Sequence, residues 1–431
     1  MSLSTKPYKG ARDFYPEDKR LQKFIFKVWR QVAESYGYEE YDAPIIEPLE
    51  IYLAKTGSEI VDEQTYNFID RGKRQVVIRP EMTPSVSRMV AAKRQELAYP
   101  LRLYSIPNLW RYERPQRGRL REHWQLNVDI FGVKSIYAEV ELINLTDAIF
   151  KAFGANSTMY EIKVNHRGLI NEILKNYLQL SQNSAYNVAK LIDRKAKLDK
   201  ADFLDQLDQS LLDSEKANQV PEKLLSILDS KSLSDLPPAL TKSDNFKQLK
   251  DLLSNLELDN VKYDPSIMRG FDYYSGIVFE VFDKSENNNR SMMGGGRYDG
   301  LVGLFGVEPI STVGFGWGDV TLVNFLKEHA LLPQLKPETD IYVCLAGDIY
   351  TKAKDMISAL RREGLNLAID LTNRKLGDQI KSADKKGLNY VIIIGEDELK
   401  SAHFKLKTLK NKQELNVNLK ELVNIVKHDS H

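Results

Sequence analysis

Groups able to do chemistry crowd into Leu101–Gly132, LRLYSIPNLWRYERPQRGRLREHWQLNVDIFG. Two runs rich in Leu, Trp, Tyr, Val, Ile and Phe flank a turn built on Pro115 and Gly118, the pattern of an antiparallel hairpin with a long basic loop. Strand side chains alternate between faces. Arg111 and Glu113 therefore share one face of the first run, and His123, Gln125, Asn127 and Asp129 share one face of the second. The opposite faces carry Trp110 and Tyr112, then Trp124, Leu126, Val128 and Ile130, which suit a buried layer. A solvated sheet face has no need of acids, amides and an arginine crowded together, whereas recognition of a small zwitterion does. Arg114, Arg117, Arg119 and Arg121 on the loop are flexible cations suited to phosphates.

Other parts of the chain must position this floor. Leu21, Phe24, Ile25, Val28, Trp29, Val32 and Ala33 recur at helical spacing up to Gly37, and Tyr38–Pro48 reads as an extended segment. Residues 65–70 and 75–79 form a second hairpin that delivers Arg79-Pro80-Glu81-Met82-Thr83-Pro84. Thr83 has the place of a helix cap, with Pro84 as the first helical residue. A cap does not account for Glu81 just outside it, where a ligand ammonium would complete an ion pair. A helix over 138–153 and a strand over 160–165 follow. No glycine occurs between Gly168 and Gly270, and Leu, Asp, Lys, Ser and Gln dominate there, so an inserted α-helical module is predicted over roughly 165–258.

The core resumes at Val261. Alternation places Asp272, Tyr274 and Gly276 on one face of a strand and Tyr273, Ser275, Ile277 and Phe279 on the other. Gly294, Gly295 and Gly296 then permit close backbone approach before Arg297, without the Gly-Lys-Ser/Thr of a P-loop. From about Thr339, IYVCLA, LNLAIDL and YVIIIG alternate with helical stretches. They predict a small α/β layer with a mostly parallel sheet, and Arg374, Lys375, Lys381, Lys385 and Lys386 lie around its second helix.

The chain of 431 residues has room for two or three domains. With Lys+Arg at 61 and Asp+Glu at 60, bulk charge offers nothing to a polyanion, so nucleic-acid contact must come from local patches. The single cysteine, Cys344, excludes an intrachain disulfide and fits a reducing compartment. There is no long apolar run and no hydrophobic signal core, so a cytoplasmic protein without membrane contact is expected. The six histidines show no metal-ligand spacing.

Arg-Tyr-Glu-Arg-Pro-Gln at 111–116, then Gly118-Arg119, Gln125-Leu126 and Asp129-Ile130-Phe131-Gly132, resembles the second signature motif of class II aminoacyl-tRNA synthetases in its histidyl form. Arg-Gly-Phe-Asp-Tyr-Tyr at 269–274 and Gly-Gly-Gly-Arg-Tyr-Asp at 294–299 resemble the two histidine-specific signatures of that family, with Phe271 where Leu is commoner. Gly10–Pro16 is similar to its opening segment, and the helix, strand and proline pattern up to Pro48 is similar to the first class II motif, which builds the family's dimer interface. The resemblance spans essentially the whole chain. It implies an α+β fold: a catalytic domain with an antiparallel sheet over 1–164 and 259–332, a helical insertion over 165–258 that touches the tRNA acceptor arm, and an α/β anticodon-binding domain over 338–431.

The implied activity is two-step: histidine and ATP give histidyl-adenylate and pyrophosphate, and the histidyl group passes to the terminal adenosine of tRNA(His). L-histidine, ATP with Mg2+ and tRNA(His) are the implied partners, in a homodimer. By resemblance, Arg111 and Arg269 are catalytic, on either side of the α-phosphate. Glu81, Thr83 and Gln125 hold the ammonium, and Asp129 and Tyr274 meet the imidazole nitrogens, with Tyr273 beside them. Asp129 stands where glutamate is common. Arg111, Glu113, Gly294, Gly295, Gly296 and Arg297 serve ATP, and Gln116, Arg119 and Arg121 serve the tRNA acceptor end. The third class II motif departs from the family: Gly318 is followed by Asp319, Val320 and Thr321, where an arginine that grips ATP phosphates is usual. Arg297 or a loop arginine is the expected substitute. Two rival readings remain: a histidine-sensing paralogue such as the regulatory subunit of ATP phosphoribosyltransferase, and a plain RNA-binding protein.

Overall fold

A computed structural model describes residues 3–53, 64–195, 198–268, 273–288 and 290–428. The chain divides into one compact unit of residues 1–13 and 22–332 and a second of residues 14–21 and 333–431.

The first unit is built on a nine-stranded sheet. Its strands are β1 (Glu39–Glu40), β5 (Leu101–Ser105), β6 (Asn108–Trp110), β7 (Glu122–Phe131), β8 (Tyr160–His166), β9 (Val261–Tyr263), β10 (Ile277–Asp283), β11 (Ser291–Arg297) and β12 (Thr312–Gly318). They lie in the order β1-β5-β7-β12-β11-β10-β8-β9, with β6 also on β7, and only the outermost pairs β1/β5 and β8/β9 are parallel. Register decides which side is core. Tyr104, Val128, Phe315 and Phe279 stand in one row across the sheet, joined through Gly295, and all four are buried. Helices cover this side: Phe150 of Tyr137–Ala152 stacks 4.0 Å from the ring of Tyr160 and 4.4 Å from that of Trp317. Phe325 of the helix Asp319–Glu328 meets Phe150 edge-on at 5.1 Å. Such a sheet keeps one face dry and leaves the other for polar groups.

A smaller antiparallel sheet, order β2-β4-β3, joins β2 (Ile46–Pro48), β3 (Tyr66–Ile69) and β4 (Gln75–Ile78). The segment expected as one extended run over Tyr38–Pro48 thus splits between two sheets. The helix after β4 runs Thr83–Ala92 with Met82 at its cap position, and no side chain caps it. Thr83 is already helical, so its expected capping role is corrected and its hydroxyl is available to something else. Helices from Arg167 to Asn255 fill the inserted region. Glu172 ties its two ends, accepting from Asn245 Nδ2 at 2.6 Å and from the Ser243 hydroxyl.

In the second unit the sheet order is β14-β13-β15-β16-β17, from β13 (Ile341–Leu345), β14 (Leu367–Ile369), β15 (Tyr390–Ile394), β16 (His403–Thr408) and β17 (Gln413–Asn418). The first three are parallel, as β-α-β connections require. The last two are an antiparallel hairpin, so the sheet is mixed rather than mostly parallel. The hairpin's outer strand is exposed at Gln413, Glu414, Leu415 and Asn416, and buries Val417.

Candidate active site

The floor is the polar face of β7. Leu126, Val128 and Ile130 point into the core, while Gln125, Asn127 and Asp129 point the other way. Their room comes from glycines on the next strands. Asp129 faces Gly314, which pairs with Gly296, and Asn127 faces Gly316, which pairs with Gly294. A Cβ on Gly314 would collide with Asp129 Oδ1, and one on Gly316 would lie 2.8 Å from Gln125 Cδ. Gly294, Gly314 and Gly316, on two strands, thus help to sink a hollow beside three polar side chains. Glycine here serves close approach rather than an unusual dihedral angle.

The hollow encloses about 360 Å³ including its open mouth, and is lined by Glu81, Thr83, Arg111, Gln125, Asn127, Asp129, Tyr273, Tyr274, Gly294, Tyr298, Gly314, Phe315 and Gly316. β4 and its following turn bring Glu81, which is buried and accepts from the Tyr273 hydroxyl at 3.0 Å. Arg111 leaves β6 just past its end. Its Nε donates to Pro80 O at 2.8 Å and its backbone N–H to Arg121 O at 2.8 Å. Its side chain is thereby fixed against the turn that carries Glu81. Tyr273 and Tyr274 precede β10 instead of lying in it, so the expected alternation does not apply and both rings face the hollow, with centroids 4.8 Å apart.

Asp129 is the electrostatic centre. It is 4% exposed, and burial pushes its carboxyl up to about 7, against the hydrogen bond that the Tyr298 hydroxyl donates to Oδ1. A carboxyl poised near neutrality inside a polar hollow accepts a proton-bearing ring nitrogen well, since a partner supplies what burial took away. Next along the face, His123 is driven down to about 3, first by burial and then by the charges of Arg111 and Arg12.

Several expected residues lie elsewhere. Arg297 points away from the hollow into a buried ion pair, with Nε and Nη2 each 2.7 Å from Glu139 and further bonds to Val133 O, Ser135 O and Asp299. All five of its N–H groups are engaged, so its expected service to ATP is corrected to a structural role. Arg121 is buried, with its guanidinium 4.0 Å from the Tyr112 ring centroid, Nη1 donating to Tyr8 Oη at 2.9 Å and Nε to Glu113 O at 3.0 Å. The N-terminal segment covers it, which removes it from the acceptor-end group. Gly295 faces the core side, against Phe279 and Phe315, and Gly296 lies against Ile277, Tyr274 and Val278 and is not among the residues that line the hollow. Glu113 lies past the end of β6, not on a strand face, and holds Arg119 at 3.3 Å. Gln116 and Arg119 stay exposed on the loop, bridged to one another through their backbones. Arg269 and Asp272 fall outside the described residues. Tyr298, inside the quoted Gly-Gly-Gly-Arg-Tyr-Asp run but given no role there, is the residue that sequence reasoning missed; a tyrosine two positions after a strand glycine on the floor side was the available signal.

The solved structures that this chain resembles define the class. The crystal structure of histidyl-tRNA synthetase from Nostoc sp. PCC 7120 superposes with a TM-score of 0.81 over 99% of this chain and 100% of that one, at 22% identity. An ATP phosphoribosyltransferase regulatory subunit/histidyl-tRNA synthetase from Bacillus halodurans C superposes at 0.72 over 92% and 99%, at 23% identity. The fold is therefore that of a class II synthetase catalytic domain followed by an α/β domain. The family description "Histidyl-tRNA synthetase" matches residues 10–318, and "Anticodon binding domain" matches 340–429. Proteins named histidine–tRNA ligase match along nearly their full length: from Leptospira biflexa at 43% identity over 99% of this chain and 98% of the relative, from Thermoplasma volcanium at 38% over 96% of each, and a chloroplastic/mitochondrial one from Arabidopsis thaliana at 36% over 97% and 86%. The chain belongs to the histidyl-tRNA synthetase family. No helix among the described residues is long and apolar enough to cross a membrane.

Proposed function

We propose that this aminoacyl-tRNA synthetase activates L-histidine with ATP and passes the histidyl group to the terminal adenosine of tRNA(His). One observation carries the reading: a buried acceptor, Asp129, backed by Tyr298, shares a hollow with Glu81, Thr83, Gln125 and Arg111. An amino acid with a ring nitrogen at one end and an ammonium at the other has a partner for each. Asp129 and Tyr274 take the imidazole nitrogens, and Glu81, Thr83 and Gln125 the ammonium. A histidine carboxylate oxygen then attacks the α-phosphorus of ATP. The new O–P bond forms as the bond to the bridging oxygen breaks, and pyrophosphate leaves with Mg2+ on its oxygens. Nothing covalent is asked of the protein, so positioning and charge neutralisation supply the acceleration. Arg111 neutralises the α-phosphate, with Arg269 opposite it; Glu113 and Gly294 flank the nucleotide. Gln116 and Arg119, exposed on the basic loop, meet the acceptor end of the tRNA, and the second unit meets the anticodon.

A homodimer is part of this reading. On one face of the small sheet, Ile46, Pro48, Val76, Ile78, Tyr66 and Phe68 stand in register, with Ile46 50% and Phe68 44% exposed. An apolar sheet face of this kind is what a second copy would cover. The test of the activity is histidine-dependent exchange of pyrophosphate into ATP, with Arg111→Ala beside wild type. Exchange that needs histidine and fails in the variant supports the reading. Histidine binding without exchange would replace it with a sensing paralogue, a reading favoured by the uncharged Thr321, whose hydroxyl merely bonds Met292 O and Gly318 O.

A further inference from the structure

The opening segment of the chain is fastened to the start of β7. Gly10 O accepts from the backbone N–H groups of Arg121 at 2.9 Å and Glu122 at 3.1 Å, and Arg12 N–H reaches Glu122 Oε2 at 3.4 Å. Arg111 is bonded to Arg121 from the other edge of the same strand. Two arginines distant in sequence thus flank residues 121–123. Arg12 is held by Asp319 and lies over the Trp124 ring, 5.8 Å from its centroid: Nη2 donates to Asp319 Oδ2 at 2.8 Å, and the other oxygen of Asp319 takes the Trp124 N–H at 3.0 Å. The Asp319 side chain is 4% exposed and that of Arg12 26%. A buried carboxylate with both oxygens engaged is a rigid anchor, and it leaves a quarter of the arginine facing out.

On the floor side of the start of β7 lies His123, which feels the charges of both arginines. The start of the helix Asp319–Glu328 supplies no cation of its own, since Thr321 turns its hydroxyl onto backbone carbonyls. The cation comes instead from the N-terminal segment, clamped by the acid that opens that helix. We propose that Arg12 binds the phosphates of ATP beyond the one held by Arg111, so that the triphosphate spans the two guanidinium groups across the start of β7. This rests on the adenylate-forming reading above. The step it serves is unchanged in its balance: Arg12 takes charge from the departing pyrophosphate and exchanges no proton with it.

Calorimetric binding of Mg–ATP, AMP and histidine to the full chain, together with pyrophosphate exchange, tests the proposal on wild type, Arg12→Gln and Arg12→Lys. In Arg12→Gln, Mg–ATP affinity should fall about tenfold or more, because one guanidinium–phosphate pair is lost. AMP and histidine, which do not reach Arg12, should bind within about twofold of wild type. Arg12→Lys keeps the charge without the fork and should recover part of the ATP affinity. Equal weakening of ATP and AMP in Arg12→Gln would mean that the ion pair only pins the segment, and would overturn the proposal; so would unchanged ATP affinity. Should Arg12→Gln not fold, Arg12→Lys decides alone: a loss confined to ATP supports the proposal, and none overturns it. Wild type that binds histidine but exchanges no pyrophosphate removes the adenylate reading and this inference with it, a result distinct from exchange that proceeds undisturbed in Arg12→Gln.

Discussion

Asp129 in the first unit and Asp370 in the second are both buried carboxylates, 4% and 2% exposed, and each accepts a tyrosine hydroxyl. There the likeness ends. Asp370 also takes the Thr372 N–H and hydroxyl and the Arg374 guanidinium at 2.6 Å, and these bonds outweigh burial and hold its carboxyl down to about 2. Asp129, with the Tyr298 hydroxyl set against its burial, is pushed up to about 7. Asp370 is saturated and closes a loop; Asp129 is left with acceptor capacity inside a hollow. How fully a buried charge is satisfied separates structure from function more sharply than its burial does.

Exchanging each carboxylate for a neutral isostere is the strongest way to break this comparison. Asp129→Asn should lower kcat/KM for histidine in pyrophosphate exchange on the order of 10³-fold, since the imidazole loses the partner it was desolvated for. The same variant should change the pH dependence of stability. An unfolded carboxyl titrates near ~3.9, and the native one near 7, so between these values the native state binds more protons than the unfolded state and wild type loses stability as pH rises. Asp129→Asn should remove that loss, and urea unfolding at pH 5 and pH 8 should find the variant gaining on wild type at the higher pH. A wild-type curve that does not decline relative to the variant would contradict the unsatisfied state assigned to Asp129.

The glycine row gives a smaller effect by the same logic. Gly314→Ala places a methyl on Asp129 Oδ1 and 2.9 Å from Val128 O, and it should cost about 10²-fold in histidine kcat/KM through displacement of the carboxylate, with a modest fall in Tm from the backbone contact. Tm measurements would separate displacement from unfolding, because an intact fold with a raised histidine KM is the expected pair. In the second unit, Asp370→Ala should leave pyrophosphate exchange within about twofold and destabilise that unit by roughly 2–3 kcal/mol, as Tyr342 and Thr372 lose their acceptor while the half-exposed Arg374 turns to water. Here the acid limb runs the other way: the stability that Asp370 contributes is present above ~3.9 and is lost as pH falls towards 2. Loss of exchange in Asp370→Ala would merge the two carboxylates into one category.

What was legible in sequence was local. The alternation from His123 to Ile130 assigned the faces of β7 correctly because a two-residue period needs no knowledge of neighbours. Partners were not legible. Tyr298 reaches Asp129 across a sequence separation of 169, and Arg297 reaches Glu139 across 158; nothing in a motif says which of two adjacent side chains turns to the ligand and which to the core. Thr83-Pro84 carried the pattern of a capped helix, yet the helix starts at Thr83 itself. Arg121 looked like its neighbours on the loop until the segment around Tyr8 and Gly10 closed over it. The missed hairpin β16–β17 did carry a signal, since Phe404 and Leu406 alternate with lysines and are buried, and Leu415 and Val417 share a face of the edge strand.

The smallest effect sharpens the comparison from its quiet side. Gly377 sits in the first turn of the helix Leu376–Lys385, exposed, and a Cβ there would meet nothing within 4 Å. Its φ is not among the positive ones, so alanine fits the backbone as it stands. Gly377→Ala should therefore stabilise the second unit by about 0.5 kcal/mol, through fewer unfolded conformations and better helix propensity, with exchange and aminoacylation unchanged. Gly314 and Gly377 are the same residue type under opposite demands, one bordered by a carboxylate and the other by open space. Denaturant midpoints that move up for Gly377→Ala, while histidine KM moves only for Gly314→Ala, would show that glycine in this chain is functional where a side chain needs its volume and merely tolerated where none does. A fall in stability for Gly377→Ala would mean that the helix start depends on glycine in a way its surroundings do not reveal.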